Sequence, residues 1–89
     1  MRAVITVLGK DRVGIIAGIS NILADSNVNI LDISQTIMQD VFTMIMLTDV
    51  SNSKVAFNAL SDTLEAKGSE LGLYVKIQHE DIFNSMHRI

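Results

Sequence analysis

The segment Gly9 to Gly14 carries the residues best suited to hold a small charged molecule. It reads Gly-Lys-Asp-Arg-Val-Gly and lies between a β-branched run and the first helical pattern. The first amides of a helix have no partners within the helix, and they bind carboxylates and other anions. Asp11 can face an ammonium group, so the loop can hold both ends of a zwitterionic amino acid. Gly14 lacks a Cβ, which leaves room for a ligand or a neighbouring backbone.

A structural role explains the same residues. Gly9, Gly14 and Gly18 can serve a turn and close packing of the helix on the sheet, with Asp11 as a helix cap. The spacing of the glycines differs from that of dinucleotide-binding and P-loop motifs. The residues by themselves leave both roles open.

The other residues that can do chemistry lie near the end of the chain. Imidazole and carboxylate groups are common metal ligands, but a helix beginning at Asp81 would turn His87 well away from that residue. We therefore expect solvated side chains and a helix cap, with no metal and no cofactor. Both histidines lie near one end, so no Ser/His/Asp triad is indicated, and we expect no catalysis. The residues concerned are His79, Glu80, Asp81 and His87.

Charge and composition exclude several classes of protein. The net charge is −3 and the seven basic residues are scattered, which argues against direct binding to nucleic acid. The longest apolar stretches are only a few residues long, so we expect no membrane span. The chain has no cysteine, which removes disulfides and thiolate chemistry. We expect a soluble, cytoplasmic protein.

The size of the chain favours self-association. A domain of 89 residues buries only about 60 to 65% of the surface that its unfolded chain exposes. Its 48% apolar residues include no tryptophan and few aromatics, so the core is small. Formation of a homodimer is one way to bury more apolar surface.

The first half of the chain predicts a strand, a helix and a hairpin. Residues 2–8 are β-branched, and a helical stripe then runs from Val13 until Asn27. Residues 28–38 alternate in the manner of a half-buried strand, and residues 42–50 form its partner across a turn at Gln39 and Asp40. The helical stripe is Ile15, Ile19, Ile22 and Leu23; the alternating face is Leu31, Ile33 and Ile37; and Met44 and Met46 are expected in the core.

The second half predicts a helix, a strand and a short helical tail. Ser51 or Ser53 is expected to cap the helix, and Gly68 to lie near its end. A fourth strand follows, and Asp81 is expected to cap a helix within residues 81–88. The helical stripe is Ala56, Phe57, Leu60 and Leu64, and the strand alternates through Leu73, Val75 and Ile77.

The order of elements predicts an α+β, ferredoxin-like βαββαβ sandwich. Two right-handed crossovers place both helices on one face of a four-stranded antiparallel sheet. We expect residues 1–89 to form a single domain, with 80–89 as a docked extension. The second strand begins at Asn29, near the end of the first helix rather than its start. Asn29 is therefore expected to meet the Asp11 loop of a second subunit.

Two segments resemble the signature of the ACT domain family. They are Asp11-Arg12-Val13-Gly14-Ile15-Ile16-Ala17 and Asn27-Val28-Asn29-Ile30, within a likeness that spans about residues 2–79. The chain is similar to the amino-terminal ACT domains of formyltetrahydrofolate deformylase and glycine-cleavage repressors. Its ending, Ile77 to Phe83 and His87 to Ile89, resembles that of small single-domain ACT proteins of unassigned function.

The resemblance implies a regulatory domain that dimerises and binds an amino acid or a similar small effector between subunits. It places Asp11 and Gly14 against the ligand, with Arg12 and Val13 framing them. Asn29 with Ile30 supplies the second contact. Two departures bear on the identity of the ligand: family members often have proline where Val13 stands, and the serine-binding domain of phosphoglycerate dehydrogenase has asparagine where Asp11 stands.

Two other functions compete with ligand sensing. Acylphosphatases share the architecture and use an arginine and an asparagine, roles that Arg12 and Asn29 can imitate, although the loop lacks a glycine-rich phosphate cradle. A protein adaptor would instead dock a partner enzyme or regulator through the sheet face or through Phe83 and Met86.

Overall fold

The computed structural model describes residues 1–86 and forms one four-stranded antiparallel sheet with three helices. The strand order is β2-β3-β1-β4, so the predicted ferredoxin-like fold is confirmed. The elements are β1 (Arg2–Lys10), α1 (Ile15–Asp25), β2 (Asn29–Met38), β3 (Val41–Asp49), α2 (Phe57–Leu71), β4 (Leu73–His79) and α3 (Glu80–Met86).

The core lies between the sheet and the two long helices, α1 and α2. Alternate residues of β1, β3 and β4 point to this side, where apolar positions at helical spacing meet them. Met44 and Met46 are fully buried there, as their alternation predicts. The largest fully buried apolar side chains are Ile5, Val7, Ile19, Leu23, Met44, Met46, Leu60 and Leu64.

Helix α3 packs on the opposite face of the sheet. Gln78 points away from the core side that holds its neighbour Ile77, and its Nε2 donates to the sulfur of Met86 at 3.0 Å. Arg2 forms an ion pair with Glu80 at 2.9 Å. Val4, which also points to this face, is only 5% exposed. The tail helix thus covers one end of a face that α1 and α2 leave open.

The hairpin turn at Gln39 and Asp40 is confirmed. Both residues have positive φ, at 50° and 72°, which is the backbone of a type I′ turn. Met38 pairs with Val41 across it. Because hydrogen-bonded and non-hydrogen-bonded pairs alternate from this closing pair, the amides of Ile33 and Ile37 face away from β3.

The predicted N-cap of the second helix was wrong, and Ala56, expected on its apolar stripe, lies before the helix and is exposed. The helix begins at Phe57 after an extended Ala56, and no side chain in the described chain caps it. Ser53 is held earlier, where its hydroxyl donates to the Val55 carbonyl at 2.8 Å. Gly68 lies in the last turn, near the end of the helix as predicted; the helix ends at Leu71, and Gly72, whose φ is 72°, forms a left-handed C-cap. At the tail, α3 begins at Glu80, one residue before the expected cap Asp81, and His87 lies outside the described residues.

The prediction that β2 is half-buried was wrong for the single chain. The strand lies at an edge of the sheet, and every residue in it except Ile30 is exposed. Its inner-face residues Ile33, Gln35 and Ile37 are exposed, so the helical layer does not cover this face. A bulge at Leu31 separates the pairs Ile30–Thr48 and Asp32–Leu47, and it removes Leu31 from the alternation that Ile33 continues.

No helix within residues 1–86 is both long enough and apolar enough to span a membrane.

Candidate functional site

The loop after β1 is anchored to the hairpin turn. The backbone N–H of Asp11 donates to the carbonyl of Asp40 at 2.8 Å, which extends the β1–β3 pairing beyond the last pair, Lys10 with Val41. The Asp11 side chain is exposed. The loop therefore has a fixed base and presents a carboxylate to solvent.

Gly14 gives the loop its conformation and leaves a space beside the helix. Its φ is 93°, a value that L side chains rarely adopt, and it occupies the N-cap of α1. A Cβ added to Gly14 would have no atom of residues 1–86 within 4 Å. The open space is where a ligand or a second chain can approach.

The start of α1 presents amides without helical partners. The first hydrogen bond of the helix joins the N–H of Gly18 to the carbonyl of Gly14 at 2.9 Å, so the amides of residues 15–17 precede it. The expectation that Asp11 caps this helix was wrong, because Gly14 holds the N-cap and no side chain in the described part bonds there. These amides favour a negative group beside Gly14.

Arg12 and Val13 frame the loop in different ways. The guanidinium of Arg12 turns toward the other helix, where its Nη1 donates to the carbonyl of Leu71 at 2.7 Å. This bond satisfies a carbonyl at the C-terminus of α2. Val13 is 99% exposed and makes an apolar tip on the loop. Arg12 thus acts as a support within its own chain, while Val13 is available to another molecule.

An open groove of about 270 Å³ runs from this loop to β2. One wall is the first turn of α1, and the other is the inner face of β2, which the helices leave uncovered. The groove joins the polar loop to an apolar floor. Its lining consists of Asp11, Arg12, Gly14, Ile15, Ile16, Ala17, Gln35, Ile37 and Phe42.

Asn29 lies at the other end of the sheet. It pairs with Asp49, whereas the Asp11 loop adjoins Asp40 and the far end of β2. Nine residue steps separate Asp49 from Asp40, roughly 30 Å at about 3.3 Å per residue. Asn29 borders a separate depression of about 460 Å³, with Ala24, Asn27, Val28, Asp49 and Asn52. Ile30 is half-buried and packs against the core.

The structure therefore brings together four of the six predicted site residues. Asp11, Arg12 and Gly14 line the groove, and Val13 stands on the same loop. Asn29 and Ile30 remain apart from them in one chain, as the strand order predicts. The separation also removes the geometric basis for an acylphosphatase, because Arg12 and Asn29 cannot hold one phosphate between them and the guanidinium of Arg12 is engaged at Leu71.

The histidine near the tail has a packing contact. The ring of His79 stacks on Phe57, with centroids 4.1 Å apart and planes inclined by 16°. Residues 1–86 contain no cluster of three or more His, Cys, Asp or Glu side chains placed to hold a metal ion. His87 lies outside this part of the chain.

Sequence reasoning missed Gln35, Ile37 and Phe42 as site residues. For Gln35 and Ile37 the signal was present in the alternation of β2, since Gln35 occupies an inward position between Ile33 and Ile37. A polar residue in an otherwise apolar row is typical of a position that faces a groove rather than a core. From the sequence, Ile37 is predicted only as one position on the apolar face of a half-buried strand.

Together the fold and the groove define an α+β domain with an open groove beside a helix N-terminus. The sequence profile of the ACT domain matches residues 2–78, so the chain belongs to the ACT domain family. It is 63% identical over 89 residues to a UPF0237 protein of Clostridium acetobutylicum, and the alignment covers all of both chains.

Solved structures agree with this family. An ACT domain protein from Streptococcus pneumoniae has 42% identity and a TM-score of 0.80, with 98% of each chain covered. A putative glycine cleavage system transcriptional repressor has 26% identity and a TM-score of 0.73 over 86% of this chain and 44% of its own. A formyltetrahydrofolate deformylase from Pseudomonas syringae, 23% identical, shares the fold with a TM-score of 0.79 over 88% of this chain and 27% of its own.

Proposed function

We propose that this chain is a regulatory module, without catalytic activity, that binds a free amino acid between the subunits of a homodimer. The observation that carries the proposal is the open space beside Gly14, with the carboxylate of Asp11 on one side and the unpaired amides of α1 on the other. An amino acid has complementary groups, since its carboxylate suits the amides and its ammonium suits Asp11.

Pairing of two β2 strands would complete this site. β2 is an edge strand, and antiparallel pairing of two copies places the start of one beside the end of the other. Asn29 from one subunit would then lie near the Asp11 loop of its partner. The side-chain amide of Asn29 can donate to the ligand carboxylate, and Ile30 positions that end of the strand through its core contacts.

The whole chain, residues 1–89, is proposed to act as one domain in the cytoplasm, with residues 80–89 as a docked extension. Two relatives support a regulatory role by their names. One is the putative glycine cleavage system transcriptional repressor, and the other, which shares the fold at 22% identity, is the regulatory subunit of aspartate kinase from Thermus thermophilus. The proposal needs no metal or cofactor, and it predicts a partner enzyme or regulator rather than nucleic acid.

A complementation experiment tests the shared site. Asp11→Ala and Asn29→Ala each remove one half of the site, so neither homodimer should bind the amino acid that stabilises the wild type in a thermal-shift screen of all twenty. When the two variants are unfolded together and refolded, about one quarter of the sites should regain both residues. Calorimetry counts these sites. Recovery of none, with heterodimers present by mass spectrometry, would rule out a site shared between subunits.

An adaptor role is a second candidate, because apolar side chains remain exposed on the sheet face opposite α1 and α2. Leu8, Ile45 and Tyr74 lie there, beyond the end that α3 covers, and Met86 is exposed on α3 itself. Such a surface suits a partner protein. The test is capture of a defined partner enzyme by the wild type and by Tyr74→Ser. Equal capture would remove this face from consideration.

A further inference from the structure

The groove beside the Asp11 loop has an apolar half that the carboxylate and ammonium of an amino acid would leave unfilled. Ile16 on α1 is 41% exposed and Ile37 on β2 is 58% exposed, and both line the groove. Phe42, which is almost fully buried, forms the floor between them. These three side chains line the same groove as Gly14, so the side chain of an amino acid held at the Asp11 loop is expected to extend between them.

The charges of the groove select against ionised side chains. Of the residues described, Asp11 is the one acid in the lining and Arg12 the one cation. Asp11 is the group suited to the ligand ammonium, and the Nη1 of Arg12 donates to Leu71. An acidic side chain would therefore lack a free cation, and a basic side chain would compete with the ligand's own ammonium for Asp11.

Gln35 is the remaining polar group in the lining. It lies one inward position from Ile37 along β2, on the side of the groove nearer the middle of the strand. An amide there can serve the polar end of a ligand but gives no charge to an ionised side chain. The part of the groove that contacts the ligand's side chain is thus apolar and neutral.

From this lining we infer that the ligand is an aliphatic amino acid of the valine, leucine and isoleucine class, with Ile16 and Ile37 selecting its side chain. The inference rests on the proposed function, because it assumes that the amino acid is held at the Asp11 loop. It also accounts for the apolar surface on the inner face of β2, which the helical layer does not cover. A bound aliphatic side chain would remove that surface from water.

Isothermal titration of the full-length protein tests this selectivity. The ligands are L-leucine, L-isoleucine, L-valine, L-serine, L-aspartate and L-lysine, each measured with the wild type. At least one aliphatic amino acid should bind about tenfold or more tightly than the polar ones, the discrimination that a small apolar pocket provides. If serine, aspartate or lysine binds best, the inference fails and the proposed function stands. If none of these six binds and the thermal-shift screen of all twenty amino acids shows no stabilisation, both fail.

Two matched variants identify the residues that select the side chain. Ile37→Thr keeps a β-branched residue on the strand and should weaken binding of the aliphatic ligand by about tenfold, while affinity for serine changes little. Ile33→Thr makes the same change on the same face, outside the groove, and should change affinity less than about twofold. Equal losses in the two variants would overturn the assignment.

The oligomeric state of each variant is measured by sedimentation. If Ile37→Thr dissociates the dimer, its loss of affinity cannot be assigned to the groove. Ile16→Ala then tests the groove from the α1 side, away from the edge of β2. It should lower affinity for the aliphatic ligand and leave the dimer intact. Unchanged affinity in Ile16→Ala would overturn the role of this wall.

Discussion

The Nη1 atom of Arg12 and the carbonyl oxygen of Leu71 lie 2.7 Å apart, which ties the candidate ligand loop to the end of the second helix. The bond joins residues that are 59 positions apart in the chain. A charged donor at a helix C-terminus satisfies a free carbonyl and opposes the negative end of the helix dipole. This contact makes Arg12 a support of the loop.

Replacement of Arg12 by methionine should therefore affect stability. Arg12→Met keeps an unbranched side chain but removes the hydrogen bond, and we expect the free energy of unfolding to fall by about 1 kcal/mol. Urea unfolding measures the change. Arg12→Lys is the control for charge, and it should recover only part of the loss because an ammonium cannot reproduce the planar guanidinium. Unchanged stability in Arg12→Met would contradict the assignment.

Two glycines with positive φ, Gly14 and Gly72, distinguish the stability cost of backbone strain from the loss of ligand binding. Asparagine tolerates this conformation better than other side chains, so Gly14→Asn and Gly72→Asn should cost similar, modest stability, about 1 kcal/mol each. Only Gly14→Asn fills the space beside α1, and it should abolish ligand binding measured by calorimetry. Gly72→Asn should bind normally. Binding by Gly14→Asn would place the ligand elsewhere.

Two helical glycines should respond oppositely to alanine. A Cβ on Gly68 would lie 2.7 Å from Val75 Cγ2 and 3.0 Å from the Leu73 carbonyl, so Gly68→Ala should destabilise the fold by about 1–3 kcal/mol. A Cβ on Gly18 would meet the flexible Lys67 Cε at 3.0 Å, which can move. Gly18→Ala should gain up to about 1 kcal/mol of helix propensity. Thermal unfolding distinguishes the two signs, and stabilisation by Gly68→Ala would contradict the close helix-to-sheet contact.

The loss of stability at low pH should depend in part on Asp49. Its pKa is lowered from its usual value, first by a hydrogen bond from the Ser51 side chain and then by the Ser51 backbone N–H, which donates at 2.9 Å. A depressed pKa in the folded state contributes stability above the unfolded pKa of about 3.9, and this is lost as pH falls through the folded value. Asp49→Asn should flatten the decline of unfolding free energy below about pH 4. Ser51→Ala should flatten this decline in part. The same decline of unfolding free energy in the wild type, Asp49→Asn and Ser51→Ala would exclude this contribution.

Proline in place of Ile33 tests whether the exposed edge of β2 forms the dimer interface. The N–H of Ile33 donates to the Asp32 carboxylate at 2.9 Å rather than to β3, so Ile33→Pro should leave the β2–β3 ladder intact while it blocks pairing with a second copy. In sedimentation experiments we expect the wild type to be a dimer and Ile33→Pro a monomer, and the circular dichroism spectrum of Ile33→Pro should match that of the folded wild type. Ile33→Thr keeps the N–H and should stay dimeric. A stable dimer in Ile33→Pro would place the interface elsewhere.

Much of the fold was predictable because apolar periodicity reports which side of an element is buried. The alternation in β1, β3 and β4 and the stripes on both long helices required no knowledge of long-range contacts. The caps of α2 were less predictable. Ser51 and Ser53 are good capping residues, but their side chains serve a turn and the chain start, where Met1 contacts Ser51 and Asp49.

The candidate site was predictable only in part. Asp11 and Gly14 stand on one short loop, so their proximity follows from the sequence. The contribution of Gln35, Ile37 and Phe42 does not, because it depends on how far the helical layer extends over β2. The bond from Arg12 to Leu71 joins segments whose distance no local pattern reports.

The sequence by itself determined the order of elements, the core faces and the loop that carries Asp11, because each follows from interactions within a few residues. The tertiary structure decided that β2 is an uncovered edge strand, that Arg12 supports α2, and that an apolar groove joins the loop to Ile37. These features depend on the relative placement of helices and strands distant in sequence. That placement is set by packing of the whole core, which local periodicity cannot specify.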